Sequence, residues 1–173
     1  EHVGDDVWRF HLNENILFHD GSKVTADDVV SALARTIELN PSVKSQLHIK
    51  DVMKVDDLTV DITSENPDAS IPARMAYGGA IIYKKNEESD GTILLPIGTG
   101  PFKVASFDKA TSIMELSKNE NYHDGAPLLD TITVRFGISD ANAREMAIES
   151  GEVDFTTEPP LGSTTSQIGR AHV

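Results

Sequence analysis

Residues 7–29 read VWRFHLNENILFHDGSKVTADDV, and this stretch predicts a strand, a turn and a helix in close succession. In its first six residues every second side chain is strongly apolar, which is typical of a strand with one buried face. Thr25 predicts the start of the helix, because Asp28 follows three residues later in the arrangement of a capping box. Apolar residues recur at spacings of three and four over residues 26–37, so we expect one face of the helix to be buried. Pro41 is expected to end it, since proline disfavours helical backbone in the residue before it.

The rest of the chain alternates strand patterns with two shorter helix patterns and has no internal repeat. The predicted strands at 49–55 and 58–63 form a β-hairpin that turns at Asp56-Asp57. Further strands are predicted at 80–83, 102–107, 112–116 and 132–136, and another begins at Val153. The predicted helices lie at 69–76 and 141–149. Gly151 follows the second helix at the position where left-handed backbone is favoured. Many strands with few helices indicate an α/β or α+β fold.

The composition excludes several classes of partner and site. The chain has 173 residues, with 15 Lys and Arg against 28 Asp and Glu, which gives a formal net charge of −13. Such an acidic chain disfavours a nucleic-acid backbone or an anionic membrane surface as its partner. The absence of cysteine excludes disulfides, cysteine-ligated zinc, iron–sulfur clusters and a cysteine nucleophile. No apolar stretch approaches the length that a membrane-spanning helix needs.

The two ends of the chain predict less structure than its middle. A strand pattern begins at Val7 with no methionine or signal-like apolar region before it, so we expect the chain to be truncated at its N-terminus. Residues 156–173 show neither helix nor strand periodicity, and we expect a disordered or truncated tail there. Residues 169–173 resemble a remnant of cloning. A weak change in composition near residues 84–91 suggests a subdomain boundary.

None of the reactive residues forms a recognisable catalytic or metal-binding pattern. No two of the six histidines stand four residues apart on a predicted helix, so no zinc-binding face is expected. His19-Asp20 could belong to a catalytic relay, but the chain lacks a Gly-x-Ser-x-Gly motif, and a turn histidine beside a turn aspartate is favoured. Residues 98–101, Gly-Thr-Gly-Pro, lack the ending of a phosphate-binding loop, so we expect tight backbone packing at the start of a strand. We predict no catalytic residue, no metal ligand and no cofactor.

Residues 75–81, Met-Ala-Tyr-Gly-Gly-Ala-Ile, combine features that suit the wall of a ligand cleft. They offer a flexible apolar side chain, an aromatic ring with a polar tip, and glycines that expose backbone N–H and C=O groups. An ordinary turn from helix to strand would contain the same residues, and the residues alone favour that interpretation. The candidate ligand-binding residues are Met75, Tyr77, Gly78, Gly79 and Ala80.

Four blocks of sequence match the motifs of one protein family in order and spacing. They are Phe-His-Asp-Gly at 18–21 with Thr-Ala-Asp-Asp-Val at 25–29, Pro-Ile-Gly-Thr-Gly-Pro-Phe at 96–102, Asn-Glu-Asn-Tyr at 119–122, and Ala-x-x-x-Gly-x-x-Asp at 147–154. On these residues the chain resembles, over most of its length, the solute-binding proteins of ABC importers for oligopeptides, dipeptides and nickel. This group is known as extracellular solute-binding family 5.

The resemblance implies an α/β fold of the periplasmic-binding-protein-like type (class II), in which two lobes close on a ligand. The chain would be an incomplete piece of it, with a mixed sheet and an inserted small α+β subdomain. Residues 7–85 would form the inserted subdomain of the first lobe, and residues 86–155 would form part of the core of that lobe. The second lobe would be missing.

The resemblance also implies a function, as the extracytoplasmic substrate-binding component of an ABC transporter. Such a protein lies in the periplasm, or at the outer face of the cell membrane through a lipid anchor. It would capture peptides or nickel complexes and deliver them to the membrane permease, without catalysis and without nucleic acid as a partner. Nickel-chelate relatives hold carboxylates with an arginine near the segment that matches residues 77–83, where this chain has none and Arg74 is nearest. A hydrolase-type enzyme on a two-lobe α/β scaffold is the alternative, and the lack of a Ser/His/Asp arrangement weighs against it.

Overall fold

The computed structural model describes residues 1–84 and 97–156. Strands and helices alternate irregularly along the chain, as the sequence patterns predict. In chain order the elements are β1 (His2–Gly4), β2 (Val7–His11), α1 (Ala26–Leu39), α2 (Pro41–Leu47), β3 (Ile49–Asp56), β4 (Thr59–Ser64), α3 (Ile71–Arg74), β5 (Phe102–Asp108), β6 (Ile113–Lys118), β7 (Thr131–Arg135) and α4 (Ala141–Glu149). Within these described ranges, no helix combines the length and the apolarity that a membrane crossing requires.

The start of α1 confirms the predicted capping box. The Thr25 side-chain oxygen accepts a hydrogen bond from the Asp28 backbone N–H at 3.4 Å, and the Asp28 carboxylate accepts one from the Thr25 backbone N–H at 2.9 Å. Two of the donors that a helix start leaves unpaired are thereby satisfied. The buried face of α1 carries Ala26, Val29, Ala32 and Leu33.

Helix α2 follows α1 directly and is absent from the sequence-based prediction. Asn40 ends α1 as expected, yet its side chain also accepts a hydrogen bond from the Val43 backbone N–H at 3.2 Å and so caps the next helix. Pro41 occupies the first position of α2, where its fixed φ suits the helix and its missing N–H is not needed. The proline that stops one helix therefore starts another. His48, with a left-handed φ of 54°, ends α2.

The first sheet is antiparallel throughout, with the strand order β1-β2-β4-β3. The predicted hairpin forms β3 and β4 and is confirmed, with Val52 opposite Ile62. Trp8 and Phe10 of β2 pack against the core, as the alternation in that strand predicts. The buried core cluster comprises Ala26, Val29, Leu33, Leu47, Ile49, Val52, Val60, Ile62, Ile71 and Ala80.

The sequence predicts a buried strand at residues 80–83, and this prediction is wrong. Ile81 is 62% exposed, and residues 81–83 belong to no strand. The first pairing after them is an isolated antiparallel bridge between Lys84 and Ile97. A short apolar run does not by itself distinguish a buried strand from a segment of which only part turns inward.

The strand predicted to begin at Val153 is also absent, since no strand is present in the described residues after α4. The backbone N–H groups of Glu152 and Val153 both donate to the Ala147 carbonyl, at 2.8 Å and 3.1 Å, and this closes the end of the helix. Gly151 has a φ of 74°, which confirms the left-handed turn expected there. The chain direction after α4 is therefore set by the end of the helix.

The chain forms two compact units. The first comprises Glu1–Val104 and Ser117–Thr131, and the second comprises Ala105–Leu116 and the described residues from Ile132 onward. All the candidate ligand-binding residues lie in the first unit. The subdomain boundary predicted between residues 85 and 86 falls outside the described residues, as does the tail after residue 156.

The second unit contains the remaining helix and most of the second sheet, which has the strand order β5-β6-β7. Asp140 caps α4 by accepting a hydrogen bond from the Ala143 backbone N–H at 2.9 Å. The rings of Phe107 and Phe136 meet edge to face, with their centroids 5.9 Å apart. The strands predicted at 102–107, 112–116 and 132–136 and the helix predicted at 141–149 are present as β5, β6, β7 and α4.

Candidate functional site

The candidate ligand-binding residues lie on one turn, residues 75–80, which we call the Tyr77 turn. It continues directly from α3, because the Met75 backbone N–H still donates to the Ile71 carbonyl at 3.0 Å. The Tyr77 N–H donates to the Arg74 carbonyl at 3.0 Å, and the Ala80 N–H returns to the Tyr77 carbonyl at 2.9 Å. The turn is thus held by its own backbone at both ends.

The five candidate residues divide between the core and the surface. Ala80 is buried, and Met75 packs against the core cluster from the edge. Tyr77 is 48% exposed and Gly78 is exposed, whereas Gly79 is partly buried. The structure therefore presents Tyr77 and the two glycines at the surface and uses Met75 and Ala80 to anchor them.

Backbone donors on the surface side of the turn have no acceptor within the described part of the chain. The N–H groups of Gly78, Gly79 and Ile81 donate to no described residue, and the Tyr77 hydroxyl has no hydrogen-bond partner there either. Exposed donors of this kind bind water or the carbonyl oxygens of a ligand. Such donors beside an aromatic ring are what an extended peptide or a small polar solute would use.

The lack of space around residue 79 explains why a glycine is found there. A Cβ atom at this position would lie 2.7 Å from Cγ1 of Val43 on α2 and 2.8 Å from Cε1 of Tyr77. Real Cβ contacts are not that short, so any side chain here would displace one of these neighbours. By contrast, a Cβ atom at Gly78 would meet no atom within 4 Å.

A polar cluster anchors the helix before the turn. The Arg74 guanidinium donates to the Asp68 carboxylate and to the Ser70 hydroxyl, each at 3.0 Å, and to the Gln46 carbonyl at 2.6 Å. Hydrogen bonds from the Ser70 hydroxyl and backbone N–H, reinforced by Arg74, lower the pKa of Asp68 to about 2. Arg74 is thus bonded to α2 and to the segment before α3, and these contacts do not leave it as a clamp for a ligand carboxylate.

Asp68 also contacts residues of two further parts of the chain. Its backbone carbonyl accepts a hydrogen bond from the Trp8 indole N–H at 3.0 Å, and its carboxylate lies 3.4 Å from Nδ1 of His48. The sequence signal for this cluster is Asp68-Ala69-Ser70, in which an aspartate bonds the backbone two residues on. Sequence analysis did not identify it, nor the contribution of Val43.

A second group of residues forms what we call the His19–Asn119 cluster, which comprises His19, Gly98, Gly100, Pro101 and Asn119. The Gly100 carbonyl accepts hydrogen bonds from Nε2 of His19 at 3.0 Å and from the Asn119 side-chain amide at 3.1 Å. The His19 backbone N–H donates to the Gly98 carbonyl at 2.9 Å, and the Asn119 N–H donates to the Pro101 carbonyl at 2.8 Å. Residues from three of the sequence motifs meet here, and their polar groups form hydrogen bonds with one another. This is the tight backbone packing that we expect before β5.

The neighbouring His19-Asp20 pair holds the chain in place and lacks the geometry of a catalytic relay. The His19 ring faces the Gly100 carbonyl, while the Asp20 carboxylate binds the Lys84 ammonium at 2.5 Å and the Ser22 hydroxyl at 2.6 Å. The Lys84 and Ser22 hydrogen bonds hold the pKa of Asp20 well below its usual range. In the part of the chain that the structure describes, no group of three His, Asp or Glu side chains gathers to hold a metal.

Comparison with known proteins gives one consistent family. The model of the bacterial extracellular solute-binding proteins, family 5 (middle), matches residues 2–172. The nickel-binding protein NikA of Staphylococcus aureus is 32% identical over 158 residues, which cover 91% of this chain and 31% of NikA. The oligopeptide-binding protein AppA of Bacillus subtilis is 29% identical over 170 residues, which cover 90% of this chain and 31% of AppA.

The fold agrees with the sequence match. The crystal structure of the nickel ABC transporter protein from Bacillus halodurans superposes with a TM-score of 0.78 at 30% identity, over 93% of this chain and 33% of that one. The chain therefore spans about a third of the length of the relatives that it matches.

Proposed function

Because the chain belongs to the family 5 bacterial extracellular solute-binding proteins, we propose that it is part of the substrate-binding component of an ABC importer. Its fold is the periplasmic-binding-protein type predicted from the sequence. The relatives named above are two binding proteins and an ABC transporter protein, so the hydrolase alternative is not supported. In this proposal the protein captures a solute outside the cytoplasm and passes it unchanged to the permease. It acts in the periplasm or from a lipid anchor on the membrane.

The proposed ligand is a peptide, bound at the Tyr77 turn. The observation that carries this proposal is the pair of glycines, Gly78 exposed and Gly79 partly exposed, whose N–H groups have no acceptor among the described residues. Peptide-binding proteins commonly hold the ligand main chain through backbone hydrogen bonds, which suit any side-chain sequence. The carbonyl oxygens of a peptide would accept from Gly78 and Gly79, while the Tyr77 ring would cover an apolar part of the ligand.

A nickel complex is the second candidate, and the similarity to the nickel-binding protein NikA and to a nickel ABC transporter favours it. The local geometry is less suited to an anionic chelate. No arginine lies in residues 75–84, and Arg74 binds Asp68, Ser70 and Gln46. An anionic complex would then depend on cationic groups elsewhere in the protein.

The proposed organisation follows the same family. Residues 7–85 would be the inserted subdomain of the first lobe, and residues 86–155 would be part of the core of that lobe. A second lobe, supplied by the part of the relatives that this chain does not cover, would close over the Tyr77 turn and complete the cleft. Ligand affinity is therefore expected only from the product of the complete reading frame.

Calorimetry and NMR together test the proposal. The product of the complete reading frame is titrated with trialanine and with Ni(II) in the presence of L-histidine, and then with trialanine again after labelling the glycine nitrogens. We expect trialanine to bind and to shift the amide resonances of Gly78 and Gly79. The amides of Gly21 and Gly125, which already donate to the Phe18 and Tyr122 carbonyls, serve as controls and are expected to stay in place. Binding of neither probe, or turnover of the peptide, would contradict the proposed function.

A further inference from the structure

We propose that Gly79 is a positioning residue for ligand recognition, because its missing side chain lets the Tyr77 ring lie against the turn with Val43 of α2 behind it. This inference rests on the proposed function. It adds that the placed ring is the recognition surface, and that α2 takes part in setting its position. The chemistry that such a ring recognises is an apolar or aromatic side chain of a peptide, with the phenol hydroxyl available to a ligand carbonyl.

The first step of the argument is that the space at Gly79 is filled from both sides. An added Cβ atom would lie 2.7 Å from Cγ1 of Val43, and 2.8 Å and 3.1 Å from Cε1 and Cδ1 of Tyr77. The backbone at Gly79 is not in the left-handed region, so conformational freedom does not explain a glycine here. The close approach of the two side chains is the feature that requires it.

The second step is that Val43 cannot easily retreat. Its side chain packs against the buried core, and its backbone N–H is held by the Asn40 side chain at the start of α2. A β-branched side chain on a helix also has few rotamers available. A methyl group at Gly79 would therefore push the turn away from α2 and press against the Tyr77 ring, which is 48% exposed and free to move with the turn.

The third step is that the rest of the Tyr77 turn is fixed, so the ring position is well defined. The Tyr77 N–H and carbonyl are both hydrogen bonded, to Arg74 and Ala80. Arg74 in turn is held by Asp68 and Ser70. A ring on a rigid backbone with one side resting on Gly79 presents its other side to solvent, where a ligand can reach it.

The chain supplies a matched control, because Gly78 is adjacent and lies in open space. A Cβ atom there would meet no atom within 4 Å, and its backbone is outside the left-handed region. The substitutions Gly79→Ala and Gly78→Ala therefore add the same methyl group one residue apart. Only the first is expected to move the ring.

The first measurement reads the ring directly and needs no ligand. The product of the complete reading frame is labelled with 3-fluorotyrosine, and the ¹⁹F resonance of Tyr77 is assigned with Tyr77→Phe. We expect Gly79→Ala to shift that resonance and Gly78→Ala to leave it in place, with Tyr83 and Tyr122 unchanged in both. A Tyr77 resonance that is the same in both variants would overturn the inference. This result would leave the proposed function standing.

The second measurement is affinity for whichever probe the parent protein binds, trialanine or Ni(II) with L-histidine. Gly79→Ala is expected to weaken binding about tenfold, the scale of one aromatic contact. The control for affinity is Gly100→Ala, which adds a methyl group in open space outside the Tyr77 turn and is expected to change binding less than about twofold. Adding Val43→Ala to Gly79→Ala makes room behind the turn and is expected to restore part of the affinity and the Tyr77 resonance. If Gly79→Ala alone does not fold, this double variant is measured in its place.

A shifted Tyr77 resonance with unchanged affinity would overturn the role of the Tyr77 ring in recognition. A parent protein that binds neither probe would overturn the proposed function, while the resonance would still decide whether Gly79 places the ring.

Discussion

The Tyr77 turn and the His19–Asn119 cluster are built from similar parts but use them in opposite ways. Each combines glycines with one ring side chain in the first compact unit. In the cluster, the Gly100 carbonyl accepts from both His19 and Asn119, and Asn119 is only 4% exposed. In the turn, the two glycine N–H groups donate to no described residue, and Tyr77 is about half exposed.

Under the proposed function, the difference separates a structural role of the cluster from a binding role of the turn. Backbone groups that are paired within the chain stabilise the fold and leave nothing for a ligand, whereas exposed unpaired groups contribute little to the fold. Three of the segments that match the family motifs contribute residues to the paired cluster, which explains why those segments identify the family and not the ligand. Substitutions that remove a paired group of the cluster are therefore expected to change stability, and substitutions that displace a group of the turn are expected to change affinity.

The largest effect is expected from Asn119→Ala. The substitution removes the side-chain donor to the Gly100 carbonyl and the acceptor of the Asn121 N–H, both at a buried position. We expect the free energy of unfolding to fall by about 2 kcal/mol, since buried polar groups lose their partners. Urea denaturation followed by circular dichroism measures this change.

The control for that prediction is Asn121→Ala, two residues away. Asn121 is exposed, and its backbone N–H, which the substitution retains, is the group that bonds Asn119. Its loss of stability is expected to be less than about 0.5 kcal/mol. Equal losses in the two variants would mean that the paired cluster is not what stabilises this region.

Much of the fold can be predicted from sequence because its signals are local. The capping box at Thr25 and the hairpin of β3 and β4 are each specified by adjacent residues, and both are confirmed. Helix α2 is not predicted, because Pro41 signals the end of one helix as well as the start of another. The strand at residues 80–83 is predicted wrongly, because the direction in which Ile81 points depends on the turn before it.

The candidate site is predictable only in part, for a related reason. The composition of residues 75–81 indicates a place where backbone and an aromatic ring could meet a ligand. It does not indicate which side chains face outward, and Met75 and Ala80 prove to be anchors. Nor does it indicate that Val43, on another helix, closes the space behind Gly79. Contacts between residues distant in sequence have no local signal.

The second-largest effect is expected on the stability of the fold in acid, and it concerns Asp68, which anchors the helix before the Tyr77 turn. The pKa of Asp68 is about 2 in the folded protein, below its usual value of 3.8, chiefly because Ser70 donates to the ionised carboxylate. A pKa that is lower in the folded state means that the ionised form stabilises the fold above about pH 4 and that this stabilisation is lost as the pH falls towards 2. We expect Asp68→Asn to reduce the dependence of stability on pH in that interval.

Trp8 reports on this change, because its indole donates to the Asp68 carbonyl and it is the single tryptophan of the chain. Its fluorescence, followed during urea denaturation at pH 5, 4, 3 and 2, gives the stability at each pH. Asp5→Asn is the control, since Asp5 is exposed and has no hydrogen bond among the described residues. If Asp5→Asn reduces the dependence of stability on pH below pH 4 as much as Asp68→Asn does, Asp68 is not the group that causes this dependence.

The smallest effect is expected from Gly100→Ala, and it sharpens the comparison between the two regions. Gly100 lies at the centre of the His19–Asn119 cluster, yet a Cβ atom there would meet nothing within 4 Å, and its backbone is outside the left-handed region. The cluster uses the carbonyl of this glycine, which alanine also has, whereas the Tyr77 turn uses the empty space at Gly79, which alanine fills. We therefore expect Gly100→Ala to change the free energy of unfolding by less than about 0.5 kcal/mol in urea denaturation. A loss comparable to that of Asn119→Ala would show that space, and not the paired carbonyl, is what the cluster requires, and the contrast between the two regions would no longer hold.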